Sequence, residues 1–308
     1  MNKYKSMRAA RLTSVVAVTV ALGTGTVLGT SIATADSSVQ PDPKGSLLYD
    51  RLEKNSDGSL KTNGTGGYFV TAPYTDNAIT RKVGQLSVGG LCTATVLDSP
   101  TGSLAITARH CVDGGDATIE SGKATFTPAW HDGSRPYGTW IVDKAFVSDT
   151  PVDGSVPDVA VLAIRPSAEK KTVASATGGG LGIHPALSST QSVQATLLGY
   201  PGPAPYHLKL MSACVGDYTY YPGAGRSAVR RVGTQDECHV GGGSSGGPYV
   251  TRTAAGAKII TVLNSSGGSV ISGVAPRLID DAEQWIKAKY PDLGTGGGNL
   301  PSTGSAGL

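Results

Sequence analysis

Residues 241–248 read Gly-Gly-Gly-Ser-Ser-Gly-Gly-Pro, a run that can settle into neither a helix nor a regular strand. Glycine gives up more conformational freedom on ordering than any other residue and tolerates positive φ, and proline withdraws a backbone donor. The chain must therefore either leave this stretch as a linker or fold it as a tight loop, with backbone N–H groups converging and Ser244 or Ser245 presenting a hydroxyl. A nucleophilic hydroxyl beside backbone donors is what acyl transfer requires.

A serine hydroxyl becomes a nucleophile through a base, and the base is oriented by an acid. The chain has five histidines, His110, His131, His184, His207 and His239, and all precede Ser245. That order excludes the Gly-x-Ser-x-Gly elbow of α/β-hydrolases, which residues 243–247 also satisfy, because there the histidine follows the serine. His110 ends the apolar run Leu104-Ala105-Ile106-Thr107-Ala108 and stands beside Cys111, while Asp158 opens the buried-strand pattern Val159-Ala160-Val161-Leu162. Asp143, Asp149 and Asp153 are the competing carboxylates.

Taken together, Thr107-Ala108-Arg109-His110-Cys111, Asp158-Val159-Ala160-Val161-Leu162 and Gly243-Ser244-Ser245-Gly246-Gly247-Pro248 resemble the histidine, aspartate and serine motifs of the trypsin-like (chymotrypsin-fold) serine peptidases, in the family's order. Three departures stand out: Arg109 replaces an alanine, Val161 a leucine and Ser244 an aspartate. The resemblance covers about residues 66–290 and is closest to secreted bacterial members. It implies two antiparallel β-barrels with the active site between them and a C-terminal helix. It also implies a secreted serine endopeptidase with His110, Asp158 and Ser245 as catalytic triad and the N–H groups of Gly243 and Ser245 as oxyanion hole. The alternative is a catalytically silent, secreted binding protein on the same fold.

By the same resemblance, His239 and the segment Asn264, Ser265 and Ser266 would line the primary substrate pocket. Arg/Lys-specific relatives carry an aspartate where His239 stands, with Asp236 and Glu237 nearby, and glutamate-selective bacterial relatives carry a histidine where Leu263 stands. Relatives switched on by cleavage pair a new N-terminal ammonium with the aspartate before the nucleophile. Ser244 has no charge for such a pair, so the loop is expected to be organised without a buried N-terminus.

Residues 1–35 read as a secretory signal peptide, with Lys3, Lys5, Arg8 and Arg11 before an apolar run and Ala33-Thr34-Ala35 as cleavage site. Dilution of that run by Thr, Ser and Gly argues against a membrane anchor, so no stable membrane insertion is expected once the signal is cleaved. Export makes the four cysteines, Cys92, Cys111, Cys214 and Cys238, candidates for two disulfides, for which three pairings exist. The family resemblance implies Cys92 with Cys111, and with it Cys214 with Cys238. With no Cys-x-x-Cys pair, no metal site is expected, and no cofactor is called for. A net charge of +3 without a basic block gives no reason to expect nucleic acid. The expected partners are protein or peptide substrates.

Residues 36–65 are polar and turn-rich and read as a pro-segment or a loose N-terminal extension; residues 66–291 form the peptidase domain. Short β-branched runs at 68–71, 92–97, 104–108, 124–126, 140–146, 159–164, 193–199, 228–232, 258–263 and 273–276 alternate with turn residues, the signature of a sandwich or barrel. Over 277–290 the apolar residues Leu278, Ala282, Trp285 and Ile286 share one helical face, and Pro291 stops it. Residues 292–308 form a glycine-rich tail carrying Leu300-Pro301-Ser302-Thr303-Gly304, the pattern of sortase signals. Only Ser305-Ala306-Gly307-Leu308 follows, too little to hold a chain in a membrane. Release to the medium is expected, with cell-wall attachment through Thr303 only if the chain continues beyond Leu308.

Overall fold

Strands in this chain are short because turn residues interrupt the β-branched runs every few positions, and they pair mainly with sequence neighbours. The computed structural model describes residues 44, 46–63, 67–223, 229–232, 241–265 and 267–294. The expected signal peptide, the sortase-like motif, His239, Ser266 and Cys238 lie outside the described residues.

After β1 (Tyr68–Phe69), six antiparallel strands form the first half: β2 (Val83–Ser87), β3 (Leu91–Val96), β4 (Leu104–Thr107), β5 (Thr125–Pro128), β6 (Trp140–Val147) and β7 (Ala160–Ile164). They close into a barrel in the order β2-β3-β4-β7-β6-β5. Alternation sorts the side chains. Ala160, Leu162 and Ile164 of β7 join Leu86, Val96, Ala105 and Phe126 in one core, whereas Val161 and Ala163 face a second core shared with Leu104 and Ile106.

The second half comprises β8 (Gly182–Ile183), β9 (Ser192–Gly199), β10 (Ser212–Tyr220), β11 (Val229–Arg231), β12 (Pro248–Thr253) and β13 (Gly256–Val262). With β1 they make a seven-stranded sheet in the order β1-β10-β9-β12-β13-β8, β11 pairing with β10. Among the described residues this sheet is not closed by hydrogen bonds, and β8 meets β13 in parallel. Its other strand pairs are antiparallel.

Four strands escaped the sequence pattern, β2, β8, β10 and β12, and in β2 and β10 an internal glycine interrupts it. A Cβ at Gly84 of β2 would lie 2.3 Å from the Thr127 carbonyl oxygen, and one at Gly216 of β10 would lie 2.5 Å from Arg231 Nε. These glycines mark close approach rather than a turn. The strand expected over 273–276 is instead the start of the C-terminal helix (Ala275–Lys289), with Pro276 tolerated in its first turn.

That helix buries Leu278, Ala282 and Ile286 in the core shared by Ile106 and Val161 of the barrel and Val250 and Val262 of the sheet. It packs directly against β7, β6 and β4 of the barrel. Glu283, itself buried, accepts from the Thr101 N–H and hydroxyl at 3.1 and 2.8 Å. At the helix end, the buried carboxylate of Asp143 on β6 meets Arg165, Lys289 and the Tyr290 hydroxyl.

Within the stretch expected as a pro-segment or a loose extension, residues 46–52 pack onto the domain. Leu48 and Leu52 are 1% and 2% exposed and belong to the shared core. Glu53 N–H donates to Phe69 O and Thr71 N–H to Arg51 O, so this segment adds a layer beyond β1, which itself pairs with β10. Arg51 also donates to the carbonyls of Thr71 and Pro73. The apolar pair Leu48 and Leu52 outweighs the polar composition around it, because each removes a whole side chain from water.

Candidate active site

The run of β4 ends in buried Ala108, and the chain then turns through a single 3₁₀ turn, Arg109–Cys111. Cys111 is disulfide-bonded to Cys92 on β3, so the turn is tied to the neighbouring strand. His110 donates its backbone N–H to Asp158 Oδ1 at 2.9 Å, and its Nδ1 lies 2.8 Å from Asp158 Oδ2. Both carboxylate oxygens thus hold one residue, which sets the imidazole plane and turns Nε2 outward. The Asp158 side chain is 5% exposed and that of His110 38%. The backbone N–H of Asp158 donates to Ser269 Oγ at 3.0 Å.

The competing aspartates are placed elsewhere. Asp149 pairs with Arg109 at 2.7 Å, Asp143 with Arg165 at 2.6 Å, and Asp153 sits at positive φ in the turn between Val152 and Ser155. Arg109, where alanine was expected, also donates to Ser148 O and to Asp113, tying the loop after β6 to the histidine turn.

The glycine run is a folded loop and not a linker. Gly243 and Gly246 adopt φ of +99° and +80°. A Cβ at Gly246 would stand 2.1 Å from Thr107 Oγ1 and 2.8 Å from the Ala108 nitrogen. The loop is therefore pressed against the end of β4, directly before His110. Ser244 is fully buried and its Oγ has no hydrogen-bond partner among the described residues, whereas Ser245 is half-buried. Ser244 N–H donates to Gly241 O, Gly246 N–H to Leu263 O and Gly247 N–H to Ser244 O. The N–H groups of Gly243 and Ser245 donate to no acceptor among the described residues.

Comparison with solved structures decides the architecture. A thermostable serine protease, AL20, from an extremophilic microorganism aligns with a TM-score of 0.51 at 19% identity, covering 68% of this chain and 99% of that one. A Glu endopeptidase in complex with MPD aligns with a TM-score of 0.51 at 16% identity, covering 72% and 99%. The fold is that of the trypsin-like serine peptidases. No family model and no curated protein sequence matches the chain.

Within this trypsin-like fold the expected pocket segment is a tight turn. Asn264, 3% exposed, donates its N–H to Gly267 O and accepts from Gly267 N–H through Oδ1. Its side chain carbonyl is thus occupied in shaping the loop, while Ser265 is exposed. Gly268 then bridges both Leu263 and Val229. Of the remaining cysteines, Cys214 is buried and disulfide-bonded.

Among the described residues, the one group with spacing suited to a metal is Cys92, His110 and Cys111. Both its sulfurs are in the disulfide, so it offers no thiolate. No helix among them is long and apolar enough to cross a membrane. Ser269 and Thr93, which contact Asp158 and the serine loop, were not anticipated. Each acts across more than 100 residues of sequence, at separations of 111 and 150, so no local pattern announces them.

Proposed function

We propose that this protein is a secreted serine endopeptidase that hydrolyses peptide bonds through an acyl-enzyme formed on Ser245. The observation that carries the reading is the double hold of Asp158 on His110, set against a loop in which Ser245 alone of the two serines reaches the surface. With Nδ1–H directed to the carboxylate, the neutral imidazole keeps its lone pair on Nε2, the nitrogen that serves as base. His110 takes the proton of Ser245 as its Oγ attacks the substrate carbonyl carbon and returns it to the leaving amine; Asp158 stabilises the imidazolium in between. Charge developing on the carbonyl oxygen is met by the N–H groups of Gly243 and Ser245, which have no acceptor to relinquish among the described residues.

Export rests on the signal-like residues 1–35, and the residues lining the primary pocket are assigned through His239, Asn264, Ser265 and Ser266. Ser266 and His239 lie outside the described residues. Because Leu48 and Leu52 are buried in the shared core, we place the start of the mature folded unit at or before Ser46.

A sulfonyl fluoride or fluorophosphonate is expected to modify Ser245 and to map to the peptide containing residues 243–248. Ser245→Ala should reduce kcat by roughly 10⁴- to 10⁶-fold, the range seen when a triad member is removed, with its unfolding midpoint unchanged. Label on Ser244, or on neither serine, would overturn the reading.

A further inference from the structure

Thr93 follows Cys92 on β3 and is fully buried, and each of its polar atoms is engaged. Its N–H donates to Ser245 O at 2.8 Å, and its hydroxyl donates to Gly243 O at 2.8 Å while accepting from the Tyr200 N–H at 3.1 Å. Its own carbonyl accepts from Thr107 Oγ1 at 2.8 Å. A residue of the first half therefore grips two carbonyls of the loop that belongs to the second.

A peptide unit is planar, so holding a carbonyl holds the N–H of the next residue in the same plane. Thr93 fixes the planes that run from Gly243 to Ser244 and from Ser245 to Gly246. The plane between them carries the Ser245 N–H, and its carbonyl, Ser244 O, accepts from Gly247 N–H at 2.9 Å. Three consecutive planes are thus pinned, and the swing available to the glycine torsions on either side is removed. Nothing comparable comes from Ser244, whose buried hydroxyl has no partner among the described residues.

We propose that the Thr93 hydroxyl is the positioning residue of the oxyanion loop, supplying from the neighbouring strand the order that a buried charge beneath the nucleophile could have supplied. This rests on the acyl-transfer reading of Ser245. Thr93 touches no substrate and acts through the two planes that flank the Ser245 N–H; the Gly243 N–H lies in the plane before them, whose carbonyl, Gly242 O, accepts from the Gly202 N–H at 2.6 Å. The Ser245 N–H matters in the transition state more than in the ground state, so loss of the hydroxyl lowers kcat and leaves KM nearly unchanged.

The test compares Thr93→Val, isosteric but without the hydroxyl, with Thr93→Ser, which keeps it, using an activated p-nitrophenyl ester and a fluorophosphonate. Losing an oxyanion donor outright lowers the rate by about 100- to 1,000-fold, and a misaligned one should lose roughly 10- to 100-fold in kcat. Thr93→Ser should recover most of that loss. Should the valine variant not fold, Thr93→Ala, which leaves room for a water, is judged by the same split between kcat and KM.

Wild-type kcat in the variant lacking the hydroxyl, a raised KM with kcat intact, or a serine variant as impaired as the valine one would overturn the proposal. A wild-type protein that neither cleaves the ester nor takes the label at Ser245 would instead remove the acyl-transfer reading, and this proposal with it. That outcome is distinct from a labelled wild type beside an unimpaired Thr93→Val.

Discussion

The two halves hold their shares of the candidate site by different means. The first half is a barrel closed by its own hydrogen bonds, and it presents side chains: His110 on a short turn and Asp158 at the mouth of a buried strand. The second half is a sheet that remains open among the described residues, and it presents mainly backbone, in a loop whose geometry depends on Gly243 and Gly246 and on Thr93 reaching across. In the first half chemistry and stability should be separable; in the second they share the same atoms.

The sharpest test of that contrast is Asp158→Asn. An amide can still accept from the His110 N–H but offers its NH₂ to the imidazole, favouring the wrong tautomer, and the expected loss in kcat is on the order of 10⁴-fold. The urea midpoint should stay near that of the wild type; a large fall in stability would erase the distinction between the halves.

Gly246→Ala should behave in the opposite way. Its φ is +80° and the new Cβ would stand 2.3 Å from Thr93 O as well as 2.1 Å from Thr107 Oγ1. Strain and overpacking together should remove about 2–5 kcal/mol of stability, with activity falling in parallel. A stable but inactive protein, measured by denaturant unfolding beside ester hydrolysis, would show that loop and fold are independent after all.

Leu52→Ala probes what the open sheet takes from outside itself. Leu52 is 2% exposed in the core that joins the halves, and truncation should lower stability by about 2–4 kcal/mol. A protein trimmed to begin at Tyr68 should lose more. Unaltered thermal unfolding in the trimmed form would return 46–63 to the status of a dispensable leader.

The smallest effect is expected where the helix end meets the barrel, from Asp143. Burial alone would push its carboxyl up, but Arg165, the Tyr290 hydroxyl and Lys289 outweigh it and hold the pKa below the ordinary carboxylate value. A folded-state pKa below the unfolded one stabilises the protein above the unfolded value, near 3.9 for aspartate, and that stability is lost as pH falls through the folded value. The stability difference between wild type and Asp143→Asn should therefore be constant near neutrality and shrink below about pH 4. A difference that grew on acidification would reverse the sign of the argument.

How far the molecule could be read from its sequence follows the range of the interactions involved. His110, Asp158 and Ser245 were singled out because each sits in a local motif, and the structure places His110 and Asp158 in hydrogen-bond contact. The strands β7 and β9 were legible because each is a run of mainly apolar or β-branched residues. Gly84 and Gly216 hid β2 and β10, since close approach and a turn ask for the same residue. Leu48 and Leu52 were overlooked among polar neighbours, as their burial depends on strands far along the chain. Thr93 carries no motif at all, and its part in the loop exists only once residues 93 and 243 meet.

The pairing of Tyr68 with Ala213 and the layer of residues 51–53 laid over it also set an order of assembly. The barrel spans a continuous run from Val83 to Ile164 and can close as soon as that run is available, whereas the segment before it finds its strand partner more than a hundred residues later. Contacts of such separation form late, because the intervening chain must be ordered first. The part of the domain that is synthesised before the barrel is thus seated last, and until β10 arrives the faces destined for Leu48 and Leu52 stay open to water.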